Sequence, residues 1–169
     1  MALFGPPNVA KLKASGNIEG LVKAARYTKD PALAEEARQA LEDRLDRIIE
    51  NLQTKHMMQL QSSREALVLI GPPARDKLIF ILKNGHLHRR QDAAFVLGQM
   101  GDPAAVPALM LSLHNPDGLL RMLCVEALGK IGDPDSVDML RVAMTDHDAT
   151  VAGAARKALK KMGALPQAQ

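Results

Sequence analysis

The chain matches itself when it is shifted by 31 residues. At that one offset Gly98 falls on Gly129, Gly101 on Gly132, Asp102 on Asp133, Pro103 on Pro134, Val106 on Val137 and Leu109 on Leu140. A third copy keeps the register, so that Ala93, Cys124 and Ala155 share a position, as do Leu97, Leu128 and Leu159, and Met100, Ile131 and Met162. Identity at one fixed period restricts the fold to stacked supersecondary units, each burying its apolar face against its neighbours.

The punctuation within a period makes the unit a helical hairpin. Asp102 and Asp133 can accept hydrogen bonds from the first free N–H groups of a helix, and the proline after each sits where a missing N–H costs nothing. Each Gly-Asp-Pro therefore ends one helix and starts the next. A second break follows at Asn115-Pro116-Asp117-Gly118 and again at Thr145 to Asp148, dividing the unit into helix, turn, helix. Composition agrees: 47% of residues are hydrophobic but only 2% aromatic, with Ala and Leu well ahead of Val and Ile, which suits close-packed helices better than sheets.

One unit further back, Leu109 and Leu113 fall on Leu78 and Leu82, and Gly101 falls beside Gly71 with one residue fewer in the turn. Near the N-terminus, Ile18 to Tyr27 followed by Asp30-Pro31 and by Ala37, Ala40 and Leu41 repeats the theme. Between them the period fails. Leu21 to Leu78 spans 57 residues where two units need 62, and no Gly or Pro occurs from Ala32 through Ile70. Leu41, Leu45, Ile48, Ile49 and Leu52 keep helical spacing, which predicts one long helix across a lost turn, ending in a polar break near Asn51 to Lys55. The expected fold is all-α, a single domain over 1–169 of about five helical hairpins, the second irregular. Divergent repeats occupy 8–70, regular repeats 71–163 and a tail 164–169.

The segment Arg90, Ala93, Leu97, Gly98, Met100, Gly101, Asp102, Pro103, repeated as Arg121, Cys124, Leu128, Gly129, Ile131, Gly132, Asp133, Pro134, resembles the HEAT-like repeats of phycobilisome lyase subunits. The resemblance implies an α-α superhelix, a HEAT-like solenoid, which serves many unrelated roles. Phe95-Val96-Leu97-Gly98-Gln99 and Ala104 to Leu109 resemble the repeats of deoxyhypusine hydroxylases. That family holds two irons with His-Glu pairs at the start of the second helix of its iron-binding repeats. Those positions are Gln91-Asp92 and Met122-Leu123 here, and His-Glu occurs nowhere. No iron site and no hydroxylase activity are expected.

The remaining reactive side chains read as structural. His86 and His88 lie in a turn, two residues apart, without further ligands near them. His114 and His147 lie at helix ends, where an imidazole meets terminal carbonyls. Cys124 takes a slot filled by Ala93 and Ala155, a small core position and not a nucleophile's. The repeating glycines follow helices, not strands, so they are helix ends and close-packing points instead of phosphate loops. Arg90 and Arg121 recur at one position, suited to lacing hairpins through carbonyls or carboxylates. No catalytic residue, metal or cofactor is expected.

Cys124 is the only cysteine, compatible with a reducing compartment. No apolar run reaches signal-peptide or membrane-span length, giving a cytoplasmic reading. The 22 basic and 19 acidic residues leave a net charge of +3, too little for a dedicated nucleic-acid binder.

What remains is a surface. In a HEAT-type solenoid the second helix of each hairpin lines the concave side. Positions one, five and nine after the recurrent arginine are Gln91, Phe95 and Gln99, then Met122, Glu126 and Lys130, then Gly153, Lys157 and Lys161, spaced so as to share one helix face. Earlier counterparts are Glu35, Gln39 and Asp43, and Gln61, Glu65 and Leu69. Phe95 and Met122, read as exposed and rimmed by charge, mark a site for a protein or peptide partner. The expected partner-binding residues are Gln91, Phe95, Gln99, Met122, Glu126, Lys130 and Lys157, on a non-catalytic adaptor. Two alternatives stand beside it: a bilin-lyase-like chaperone or enzyme subunit, and weak contact with a nucleic-acid backbone through Lys157, Lys160, Lys161 and the N-terminal lysines.

Overall fold

The computed structural model describes residues 6–165, in which eleven α-helices and three short 3-10 turns follow one another without a strand. The fold is all-α, as the period and the composition require. The chain divides into two compact units, Met1–Ala74 and Arg75–Gln169.

The first unit holds α1 (Val9–Ser15), α2 (Ile18–Ala25), α3 (Pro31–Glu42), α4 (Leu45–Glu50) and α5 (Met57–Ile70). Their starts are set by short polar side chains. Asn8 Oδ1 accepts from the Lys11 amide, Asn17 Oδ1 from Gly20 and Asp30 Oδ1 from Leu33, with Pro31 in the first helical position, and each satisfies an amide that the helix leaves free. α2 pairs with α3, and α5 packs on α2, α3 and α4, enclosing Leu21, Leu41, Ile48 and Leu67 completely.

The long helix expected across the lost turn is broken. α3 stops at Glu42 and α4 restarts at Leu45. The cause is Arg44, whose guanidinium donates to the Ala40 carbonyl at 3.1 Å and to the Lys13 carbonyl of α1 at 2.6 Å. Those bonds cap α3 and α1 together. The apolar spacing of Leu41 to Leu52 survives because α4 keeps the same side against the core, and the polar break falls where expected, in a 3-10 turn at Asn51–Gln53.

The second unit is regular. The unit boundary falls within α6 (Pro72–Asn84), which is followed by α7 (Leu87–Met100), α8 (Val106–Ser112), α9 (Gly118–Ile131), α10 (Val137–Ala143) and α11 (Ala149–Lys161), with 3-10 turns at Pro103–Ala105 and Pro134–Ser136. Across both units the hairpins are α2–α3, α4–α5, α6–α7, α8–α9 and α10–α11. The second is irregular, since only two residues separate α4 from α3, with no Asp-Pro turn, and α4 runs directly into the 3-10 turn at Asn51–Gln53. Asp102 and Asp133 accept from the Ala104 and Asp135 amides at 2.9 Å each, while Gly101 and Gly132 close the preceding helices at φ 68° and 73°, left-handed values that favour glycine.

In this unit the second helices stack in series, α9 between α7 and α11, with α8 and α10 each against its own partner. The core repeats with the sequence: Leu78, Leu109 and Leu140 from the first helices, and Leu97, Leu128 and Leu159 from the second, are wholly enclosed. Gly98 and Gly129 set the helix spacing. A Cβ at Gly98 would stand 2.7 Å from Ala127 Cα, and one at Gly129 would stand 2.5 Å from Ala158 Cβ, closer than carbon atoms approach.

Candidate partner-binding surface

The residues singled out in the sequence lie on α7, α9 and α11 of the second unit. Gln99, Glu126, Lys130 and Lys157 are exposed. Phe95 and Met122, expected to stand free, are half-buried instead. At Phe95 the stack contributes directly: the Lys130 ammonium of α9 lies 5.0 Å from the centre of the Phe95 ring of α7, a cation–π contact on one ring face. The structure thus brings Phe95 and Lys130 together across two successive helices. Gln91 has a structural task, donating through Nε2 to Asp117 Oδ1 at 3.0 Å. Asp117 also caps α9 by accepting from Leu120 N at 2.7 Å, so Gln91 ties the start of α7 to the start of α9.

In the first unit the carboxylates of the same stripe already have partners. Glu65 meets Arg26 at 2.8 Å, Asp43 meets Lys13 at 3.0 Å and Glu35 meets Arg38 at 3.0 Å. The hydrogen bond from Lys13 holds the Asp43 carboxyl below its ordinary value. Charges neutralised at home have less to offer a partner, whereas Glu126 and Lys157 of the second unit form no ion pair among the described residues.

The two recurrent arginines lie beneath this face. Arg90 Nε donates to the Leu82 carbonyl at 2.8 Å, lacing α7 to α6. Arg121 does more. Its side chain is 5% exposed and clasps Asp146 with two 2.8 Å bonds, Nε to Oδ2 and Nη2 to Oδ1, while Nη1 reaches the carbonyls of Asn115 and Pro116. Asp146 in turn accepts from the Asp148 amide at 2.8 Å, fixing the loop that caps α11. The Arg121 hydrogen bond holds the Asp146 carboxyl below its usual range. The register identified Arg121 as a lace but not Asp146, because the matching residue one period earlier is Asn115, a neutral side chain that makes the same turn with Asp117 N.

Cys124 is fully enclosed, and burial pushes its thiol up to about 12, which disables it as a nucleophile at neutral pH. Where the hydroxylase resemblance calls for two His-Glu pairs, this chain has Gln91-Asp92 and Met122-Leu123, so one carboxylate stands among four positions and the amide, thioether and alkyl side chains of the other three do not make a di-iron ligand set. Among the described residues no helix is long and apolar enough to cross a membrane.

One apolar feature was missed. Phe80, Leu111 and Val142, on α6, α8 and α10, are 66%, 65% and 66% exposed. They stand 31 residues apart, so the register that organised the second helices carries the signal on the first helices as well.

No curated protein sequence matches the chain. Among solved structures, human deoxyhypusine hydroxylase in complex with glycerol is similar over 92% of this chain and 76% of its own, at 20% identity and a TM-score of 0.57. The CpcE–CpcF complex of phycocyanin lyase from Nostoc is similar over 96% and 68%, at 21% identity and a TM-score of 0.56. An engineered protein is similar over 92% and 83%, at 18% identity and a TM-score of 0.53. At these identities the likeness is one of fold. Residues 75–160 match the family model of HEAT repeats, the stretch that carries the 31-residue period, the glycine contacts and the Asp-Pro turns, and the chain belongs to the HEAT-repeat family.

Proposed function

We propose that the chain is a non-catalytic adaptor that binds a peptide or helix of a protein partner on the second-helix face of its regular unit. The observation that carries this reading is the Phe95–Lys130 contact, which joins α7 and α9 into a patch of one aromatic ring and Met122 edged by exposed Gln99, Glu126 and Lys157. A half-covered aromatic within a charged rim has the composition of an interface anchor, because docking would desolvate the rest of the ring. Gln91, one turn before Phe95, ties the starts of the same two helices together. The one thiol, Cys124, is buried and inert at neutral pH.

The test pairs stability with affinity. Phe95→Gln and Met122→Gln lower the melting temperature clearly less than Leu97→Ala and weaken binding of a partner captured by the wild-type chain by about 1–3 kcal/mol. Unchanged affinity in both variants would contradict the reading. Visible absorbance gained on mixing with an open-chain tetrapyrrole would favour a lyase-like role, and binding that falls steeply with salt would favour a nucleic-acid backbone.

A further inference from the structure

The row Phe80, Leu111 and Val142 belongs to a different face. Between α8 and α10 runs a cleft of about 560 Å³ whose apolar lining includes Met110, Leu111 and Met139 and whose charged groups are the carboxylates of Asp133 and Asp135. A second hollow of about 310 Å³ shares Met139 and His114 with the first and extends the surface to Val142. Three large side chains two-thirds exposed at equivalent positions form a row that solvent disfavours. The two thioethers supply adaptable walls that accommodate varied apolar shapes.

Charge decides what can lie there. No Lys or Arg lines the larger cleft, and α8 itself carries no charged residue. The Asp133 carboxylate accepts only the amide of Asp135 among the described residues, and Asp135 forms no ion pair there. Asp102, by contrast, is taken by Arg75 at 2.7 Å, and Asp138 by Arg141 at 2.9 Å. The single cation of the second hollow, Arg121, is held by Asp146. The free potential at this cleft is therefore negative around an apolar floor. We infer that the cleft between α8 and α10, with Leu111 and Val142 along it, docks an amphipathic segment of a partner protein whose apolar side chains are bordered by Lys or Arg. The inference is independent of the second-helix reading, since it uses other helices and other residues.

The probe is a short amphipathic helical peptide of leucine and lysine, set against the same peptide with glutamate for every lysine, each titrated with the 169-residue chain and followed by fluorescence anisotropy. The leucine–lysine peptide binds saturably and the glutamate peptide does not. The double variant Leu111→Gln, Val142→Gln keeps the wild-type melting temperature, because both positions are largely solvated, and weakens binding about tenfold or more. Asp135→Asn weakens it several-fold and flattens its salt dependence. Phe95→Gln leaves it unchanged. Equal binding of both peptides, absence of saturable binding, or wild-type affinity in the double variant would overturn the proposal. So would a loss equal to theirs in Phe95→Gln. A concentration-dependent dimer abolished by Leu111→Gln, Val142→Gln would overturn it too, by making a second copy the occupant.

Discussion

Arg121 and Asp146 show how a single pair can hold a repeat junction. The guanidinium is almost wholly covered, and every one of its nitrogens has a partner; a charge taken that far from water is tolerable only when its acceptors are complete. Asp146→Asn removes the countercharge and leaves the cation in place, so it should destabilise the protein by about 3–5 kcal/mol at neutral pH. The sign with pH follows from the lowered carboxyl. The pair contributes fully above the ordinary aspartate range near about 4, and the contribution is lost as pH falls through the lower folded value. The gap in melting temperature between wild type and Asp146→Asn should be constant from neutral to mildly acidic pH and narrow below that range. A gap that widens in acid would refute the assignment. At Gly129 the same scale works through volume alone. Ala158 stands where a methyl would go, so Gly129→Ala should cost about 1–3 kcal/mol through overpacking, measurable by urea denaturation. The glycines were legible in the sequence because they recur; Asp146 was not, because its counterpart is Asn115.

At the scale of helices the period separates core from face. Leu97 and Leu128 are enclosed, whereas Phe95 two residues earlier is half-covered by Lys130. Leu97→Ala or Leu128→Ala should each lower stability by about 2–5 kcal/mol by emptying a packed layer. Phe95→Gln should cost clearly less, and thermal melts of the three variants compare them directly. A loss in Phe95→Gln as large as in Leu97→Ala would mean that the ring is core. Helix identity and hairpin pairing in the second unit could be read because Asp-Pro turns and glycine stops are local chemistry. The break between α3 and α4 could not, since Arg44 acts through the carbonyl of Lys13, 31 residues away in the chain, and no local signal records that. The cation–π contact on Phe95 likewise comes from a lysine on the next second helix, Lys130 of α9. The exposed row on α6, α8 and α10 was legible in the same register and became visible as a surface once the side of each first helix was known.

For the molecule as a whole, fold and function separate. Membership of the HEAT-repeat family explains the hairpins, the glycine contacts and the capping turns, yet structures of the same fold include a hydroxylase, a lyase complex and an engineered protein. Function has to come from the side chains on the helix faces, and here the regular unit offers two faces of different chemistry. The direct test of the adaptor reading is an isotope-labelled amide spectrum of the 169-residue chain, recorded while a partner captured by the wild-type protein is added. The account predicts that the largest shifts fall on Phe95, Gln99, Met122, Glu126, Lys130 and Lys157, along α7, α9 and α11. Shifts confined to α8 and α10, or to the first unit, would contradict it.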